Sequence, residues 1–213
     1  MVKYTFKGGV HPPYNKVTTS KPIERLSVPP VLYVPLSQHT GKPAKPVVKR
    51  GDEVKKGQLI AEADGFISAN IHAPTSGKVR TIIEHPHPTL LSSSNAIIIE
   101  ADGKDEWLEE DNKPRAIEKV KEVIGEFVDF ELKVVKTKYP EGAEKQLIKA
   151  LTGREVPRGG LPMDVGCLVQ NVQTSLAIYE AVRYGKPLIE RVVTLSGDGA
   201  NGPGNYLVRI GTR

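Results

Sequence analysis

Residues 51–79, GDEVKKGQLIAEADGFISANIHAPTSGKV, decide the fold. Gly51-Asp52 and Lys56-Gly57 punctuate short apolar runs, as turns between strands do. Asp64-Gly65 is a strong hairpin signal, because both central residues of a type I′ turn need positive φ. A tight two-residue turn is therefore expected there. Beyond it Ala69, Ile71 and Ala73 alternate with other residues, as along one face of a strand. PTSGKVRTII (74–83) reads as another turn and strand. The same rhythm extends outward to VLYVPL (31–36) and NAIIIEAD (95–102). Regular short strands predict a small barrel or sandwich.

The stretch resembles the swinging-arm domains that carry biotin or lipoate on a lysine at a hairpin tip. Here no lysine occurs between Lys56 and Lys78, and Asp64-Gly65 stands at the expected tip. A covalent carrier is disfavoured, and a reused, rigid scaffold is the expected reading.

Composition narrows the classes. The 213 residues suit one large domain or two small ones. With 38% hydrophobic and 26% charged residues the chain is ordinary for a globular protein, and 20 glycines with 17 prolines imply many turns. The net charge of +5 is not gathered into a basic block with interleaved aromatics, so no nucleic-acid partner is expected. The single cysteine, Cys167, excludes a disulfide within the chain and any cluster held by four of its own thiolates. Its setting, DVGCLVQN, predicts a buried thiol that packs and does not react. MVKYTFKGG has no apolar run of a signal peptide, and no stretch approaches the ~18 apolar residues of a membrane span. A cytoplasmic protein, or one peripheral on a membrane complex, is expected.

Residues 1–30 form an extended arm that must lean on something to be ordered, since FKGGVHPPYNK (6–16) cannot be helical. KPRAIEKVKEVIGEF (113–127) is the clearest helix, with Ile117, Val120, Val123 and Ile124 on one stripe and Pro114 in its first turn. Phe130–Val135 reads as a strand. A second helix carries Leu147, Ile148 and Leu151 on one face and ends at Gly153. A third has Val172, Leu176, Ala177 and Ile178 as its inner set and ends at Gly185. The final segment, 190–213, is a β-hairpin around a glycine-rich turn.

No catalytic constellation emerges. SGDGANGPGN (196–205) lacks the GK[ST] ending and a following helix, so it reads as a turn and not as a phosphate loop. EHPHP (84–88) reads as a loop because of its two prolines, and its histidines as ordinary because no third ligand is suitably spaced. TKYPEGAEKQ and PMDVGCLVQNVQTS place polar residues beside a glycine at a helix start. Free N–H groups there suit phosphates or flavin carbonyls. Asn171 and Thr174 could add side-chain hydrogen bonds, or Asn171 could merely cap its helix with Thr174 in the first turn.

FKGGVHPPYNK, PLSQHTGKPAKPVVKRGDEVKKGQLIA (35–61), HAPTSGKV (72–79), TKYPEGAEKQLIKALTGREVPRGGLP (137–162) and VVTLSGDGANGPGNYLVRIGT (192–212) together resemble the C subunit of Rnf electron-transport complexes. The resemblance runs along nearly the whole chain. It implies an α+β protein: an arm at 1–30, a barrel-sandwich hybrid of the biotinyl/lipoyl type at 31–107, a remnant of an α/β flavin/NADH domain at 108–190, and the start of a soluble-ligand-binding β-grasp domain at 191–213. It implies a peripheral electron-transfer subunit on the cytoplasmic face of a membrane, not inserted in it. That subunit works between ferredoxin and NAD(H) with FMN, two 4Fe-4S clusters and sister subunits. Tyr139, Gly142 and Glu144 match one flavin/NADH motif of that family's complex I relative; Asn171, Val172 and Thr174 match another. Two features depart from the family. A glycine-rich GxGGxGFP-type stretch has no counterpart here, which suggests an internal segment removed near Trp107–Asp111, and the cysteine-rich cluster motifs are missing. A shortened form, inactive alone, is the first expectation; a non-enzymatic docking module of a redox complex is the second.

Overall fold

The computed structural model describes residues 4–39, 41–109, 131–136 and 138–213. The chain divides into two compact units, 17–120 with 176–213 and 1–16 with 121–175. Among the described residues the protein is mostly β, with two α-helices.

The larger unit is built on a barrel sandwich of two sheets. In one, β2 (Val31–Pro35), β8 (Ser93–Ala101), β7 (Gly77–Pro86) and β4 (Glu53–Val54) lie side by side in that order. In the other, β5 (Leu59–Glu62) lies between β3 (Lys45–Pro46) and β6 (Ile71–His72). The alternation of β2 buries Leu32 and Val34 on one face, as the two-residue period requires. Both meet Ile60, Val79, Ile97 and Ile99 in the core. β8 departs from alternation: Ala96 to Ile99 are all buried. Its second face is covered too, because Ile98 sits opposite Tyr33, whose ring lies under the Arg213 guanidinium and whose N–H donates to Gly211 O at 2.8 Å.

Asp64-Gly65 does not make a tight hairpin. β5 ends at Glu62 and β6 starts at Ile71, so the connection is an eight-residue loop. Among the described non-glycine residues only Asp105 has positive φ, so Asp64 does not adopt the type I′ conformation. Tertiary contacts override the local signal. The Asp64 N–H donates to Ser68 Oγ, the Ser68 hydroxyl to Lys42 O, the Ala63 N–H to Asn70 Oδ1 and the Ala69 N–H to His39 Nε2, while Lys42 pairs with the Asp64 carboxylate at 2.7 Å. Ala69 lies in this loop and is exposed, not on a strand face. The loop is nonetheless pinned at many points.

A third sheet belongs to the same unit. β9 (Glu190–Leu195) and β10 (Gly204–Arg209) form the expected antiparallel hairpin. The arm supplies β1 (Ile23–Arg25), parallel to β10 with Ile23 opposite Asn205. Part of the arm is thus ordered by strand addition. A polar cluster fastens this sheet to the barrel: Asp105 accepts from Lys56 Nζ at 2.5 Å and Arg209 NH2 at 2.8 Å, and Arg209 also meets Glu190 at 3.2 Å.

In the smaller unit, α1 (Glu144–Thr152) buries Ile148 and stops at Gly153, whose φ of 75° closes the last turn. α2 (Val172–Tyr184) begins here and continues into the larger unit. It has no buried residue, so its supposed inner set is outward-facing: Val172, Leu176 and Ile178 are exposed. The predicted strand at 130–135 is not formed over its described residues 131–135, where only Val135 makes an isolated bridge, to Tyr4. The helix expected over 113–127 lies outside the described residues. Cys167 is only half-buried, with its thiol 3.7 Å from Val165 O.

Candidate functional site

The first motif, Tyr139 to Glu144, sits where the arm crosses the smaller unit. Val10 and Tyr139 exchange backbone hydrogen bonds of 2.9 and 2.8 Å, and Lys138 Nζ reaches Gly8 O at 2.7 Å and lies 4.0 Å from the Phe6 ring centroid. Gly9 makes this crossing feasible: its φ is +88°, and a Cβ there would lie 2.8 Å from Tyr139 O. The Tyr139–Pro140 peptide is cis. Two turns follow, from the Glu141 N–H to Lys138 O and from the Ala143 N–H to Pro140 O, both 2.8 Å.

α1 starts directly after these turns. Ala143 caps it without a side-chain bond, leaving the first-turn N–H groups without intrahelical acceptors. Glu144 occupies the first turn, where a carboxylate interacts favourably with the helix dipole. Tyr139 is 66% exposed, Gly142 has open space where a Cβ would project, and Glu144 is exposed. Lys145 Nζ spans from α1 to Gly160 O at 2.8 Å, holding the loop 154–167.

Glu141 went unnoticed in the sequence, and it is the unusual member. It is 4% exposed, and among the described residues neither carboxylate oxygen has a hydrogen-bond partner. Its only sequence signal was a carboxylate between Pro140 and Gly142, in a turn where side chains usually point to water.

The second motif opens α2. Asn171 Oδ1 accepts the Gln173 N–H at 2.9 Å, and Asn171 O accepts the Ser175 N–H at 2.9 Å, so Asn171 is the helix cap. Thr174 is half-buried in the first turn. Each motif is well formed locally.

These residues do not enclose a flavin. Tyr139, Gly142, Glu144 and Asn171 are exposed, and the Asn171 carboxamide oxygen already serves its own helix. Glu144 puts a carboxylate in the first turn of α1, where a phosphate would meet a like charge. The described residues contain no group of three or more His, Cys, Asp or Glu placed to hold a metal ion, and no described helix is long and apolar enough to cross a membrane.

The family model of the RnfC barrel sandwich hybrid domain matches residues 4–104, and that of the Nuo51 FMN-binding domain matches residues 84–180. The chain is 39% identical over 304 residues to the C subunit of the proton-translocating ferredoxin:NAD(+) oxidoreductase complex of Clostridium ljungdahlii, covering 98% of this chain and 66% of that protein. It is 32% identical over 303 residues to the C subunit of the Na(+)-translocating ferredoxin:NAD(+) oxidoreductase complex of Acetobacterium woodii, covering 97% of this chain and 68% of that one. It is also 32% identical over 305 residues to the C subunit of the ion-translocating oxidoreductase complex of Pasteurella multocida, but spans only 36% of its length. The chain therefore belongs to the family of the C subunits of ion-translocating ferredoxin:NAD(+) oxidoreductase complexes.

Proposed function

We propose that this chain is a shortened form of the peripheral electron-transfer subunit of such a complex. It docks with sister subunits on the cytoplasmic face of the membrane and is inactive as a flavin/NADH enzyme by itself. One observation carries the reading. The match to the Clostridium relative covers 98% of the chain yet runs over 304 positions against 213 residues, an excess of 91. At least that many positions of the relative have no counterpart here. They lie inside the aligned region, and the absent glycine-rich stretch belongs with them.

In this reading residues 31–107 form the barrel domain, 108–190 the remainder of an α/β flavin/NADH domain, and 191–213 the beginning of a β-grasp domain. Tyr139, Gly142, Glu144, Asn171 and Thr174 are one wall of the FMN and NAD(H) pocket, with the opposite wall missing. In a complete subunit the flavin performs the electron chemistry while the protein supplies position and electrostatics. Titration of the purified chain with FMN and NADH tests this reading. Weak or no binding and no diaphorase turnover are expected. Submicromolar FMN binding or turnover overturns the inactivity, and an uninterrupted native reading frame of 213 codons overturns the idea of a removed segment.

A non-enzymatic docking module is the second reading. The contrast between the fully buried barrel core, with Leu32, Val34, Ile60, Ile97 and Ile99 inaccessible, and the exposed flavin motif favours it. Co-purification with membrane subunits, without flavin, is its expected result.

A further inference from the structure

Within the smaller unit the arm is held by main-chain bonds and lysines, and none of residues 4–16 is buried. The Tyr4 N–H donates to Val134 O at 3.2 Å and the Lys136 N–H to Tyr4 O at 3.0 Å. Val10 and Tyr139 exchange the second pair of bonds. Segments held by exposed hydrogen bonds, with little apolar burial, lie at the low-stability end of a fold.

Lys138 fastens the arm between these two points. Its ammonium donates to Phe6 O and, at 2.7 Å, to Gly8 O, and it lies 4.0 Å from the Phe6 ring centroid. Its stem runs along Gly9, where a Cβ would come within 3.0 Å of Lys138 Cδ. The same lysine opens the turn that contains Glu141. The Glu141 N–H donates to Lys138 O at 2.8 Å, so the two residues stand at the ends of one four-residue turn. Glu141 is 4% exposed, and among the described residues neither of its carboxylate oxygens has a partner. Lys145, the next cation along the chain, is tied to Gly160 O at 2.8 Å.

A buried carboxylate without a cation is costly. An ammonium also bonds a carboxylate more strongly than a neutral carbonyl. Lys138 thus has two competing sets of acceptors, and its flexible four-carbon stem lets it turn between them.

We propose that Lys138 is the latch of a releasable arm. With the arm docked, its ammonium serves Phe6 O and Gly8 O, and Glu141 has no partner. With the arm released, the ammonium turns to the Glu141 carboxylate and pairs the orphaned charge. That pairing lowers the cost of release. Release bares Val134 O, the Lys136 N–H and both main-chain groups of Tyr139. The device lies beside the first motif and works whether or not that motif binds a flavin.

Native-state hydrogen exchange of the full chain tests this at the amides of Tyr4, Val10, Lys136 and Tyr139. Glu141→Gln should raise their protection about threefold or more, because it removes the pull on Lys138. In a Lys138→Met background the same substitution should leave their protection unchanged. No gain in Glu141→Gln overturns the proposal, as does an equal gain in both backgrounds, which would give Glu141 a role independent of Lys138.

Carbodiimide coupling, which joins an amine to a carboxylate in contact with it, is the second measurement, read by mass spectrometry. A Lys138–Glu141 crosslink should be scarce in the unaltered chain. It should rise about threefold or more in Gly9→Ala, whose added methyl disfavours the docked arm. Loss of Val10 protection in Gly9→Ala without this crosslink overturns the proposal, as does coupling of Glu141 to Lys145 in its place.

Discussion

Arg209 donates to the Asp105 carboxylate at 2.8 Å across 104 residues of sequence, on the same oxygen that Lys56 Nζ reaches at 2.5 Å. Lys56 and Arg209 are both buried, and one carboxylate serves both. Its other oxygen takes the Thr75 hydroxyl at 3.1 Å. Asp105 therefore joins the barrel to the β1–β10–β9 sheet. Removing one partner of a buried pair leaves an uncompensated charge. Asp105→Ala should cost about 2–3 kcal/mol, at the low end because the Asp105 side chain is partly exposed. That corresponds to a fall in Tm of about 4–12 °C for a chain of this size. Asp105→Asn should cost less than Asp105→Ala, since Asn tolerates the φ of 52° and keeps a hydrogen-bonding side chain. Differential scanning calorimetry of the two variants decides this; equal losses would place the effect in the lost charge and not in the backbone.

Gly9→Ala should detach the arm from the first motif. The new methyl would meet Tyr139 O at 2.8 Å in a backbone conformation that L-residues rarely adopt. The expected result is a loss of amide hydrogen-exchange protection at Val10 and Tyr139 with no change in the barrel strands. Unchanged protection at Val10 would show that the arm does not depend on this close approach.

Glu141→Gln should stabilise the protein. A buried carboxylate without a donor carries a desolvation penalty that an amide reduces. A gain of about 1 kcal/mol is expected, or about 2–4 °C in Tm. A lower Tm for the variant would mean that the carboxylate has a partner in solution.

The Glu190–Lys186 pair at 3.0 Å should make stability depend on pH at both extremes. Burial pushes the Glu190 carboxyl up, but the Lys186 hydrogen bond and the charges of Arg209, Lys186 and Arg25 outweigh it and hold it below its ordinary value. Its contribution is complete above the unfolded carboxylate value of about 4.3 and is lost as pH falls through the lowered folded value. Burial pushes Lys186 down, but its bonds to Glu180 and Glu190 outweigh this and hold it above its ordinary value. Its contribution is complete below about 10.4 and is lost as pH rises through the raised folded value. Tm should therefore be flat through neutrality and fall at both ends. Glu190→Gln should make the acid fall shallower; the same acid slope in the variant would exonerate Glu190.

What could be read in the sequence was local. Leu32 and Val34 alternate with their neighbours, and Leu147, Ile148 and Gly153 mark a helix face and its end; each signal lies within one element, and each element formed. The Asp64-Gly65 turn misled because its conformation is set by Lys42 and His39, more than twenty residues away in sequence. β1 was invisible, since Ile23–Arg25 is exposed and short, and it becomes a strand only because β10 offers an edge. At the candidate site the motif residues could be located by type and spacing. The burial of Glu141 could not, because it depends on how the turn at 138–143 folds under the arm.

The pairing of β1 with β10 also governs the order in which the protein assembles. Ile23 leaves the ribosome some 180 residues before its partner Asn205. Until then β1 has no edge to join. The barrel strands β2 to β8 close within about seventy residues of one another and are free to form early, whereas the β1–β10–β9 sheet closes only after residues 204–209 have been made. A nascent chain thus carries a folded barrel beside an unpaired N-terminal ribbon through most of its synthesis. Its late step is a long-range strand addition that no truncation before residue 204 can complete.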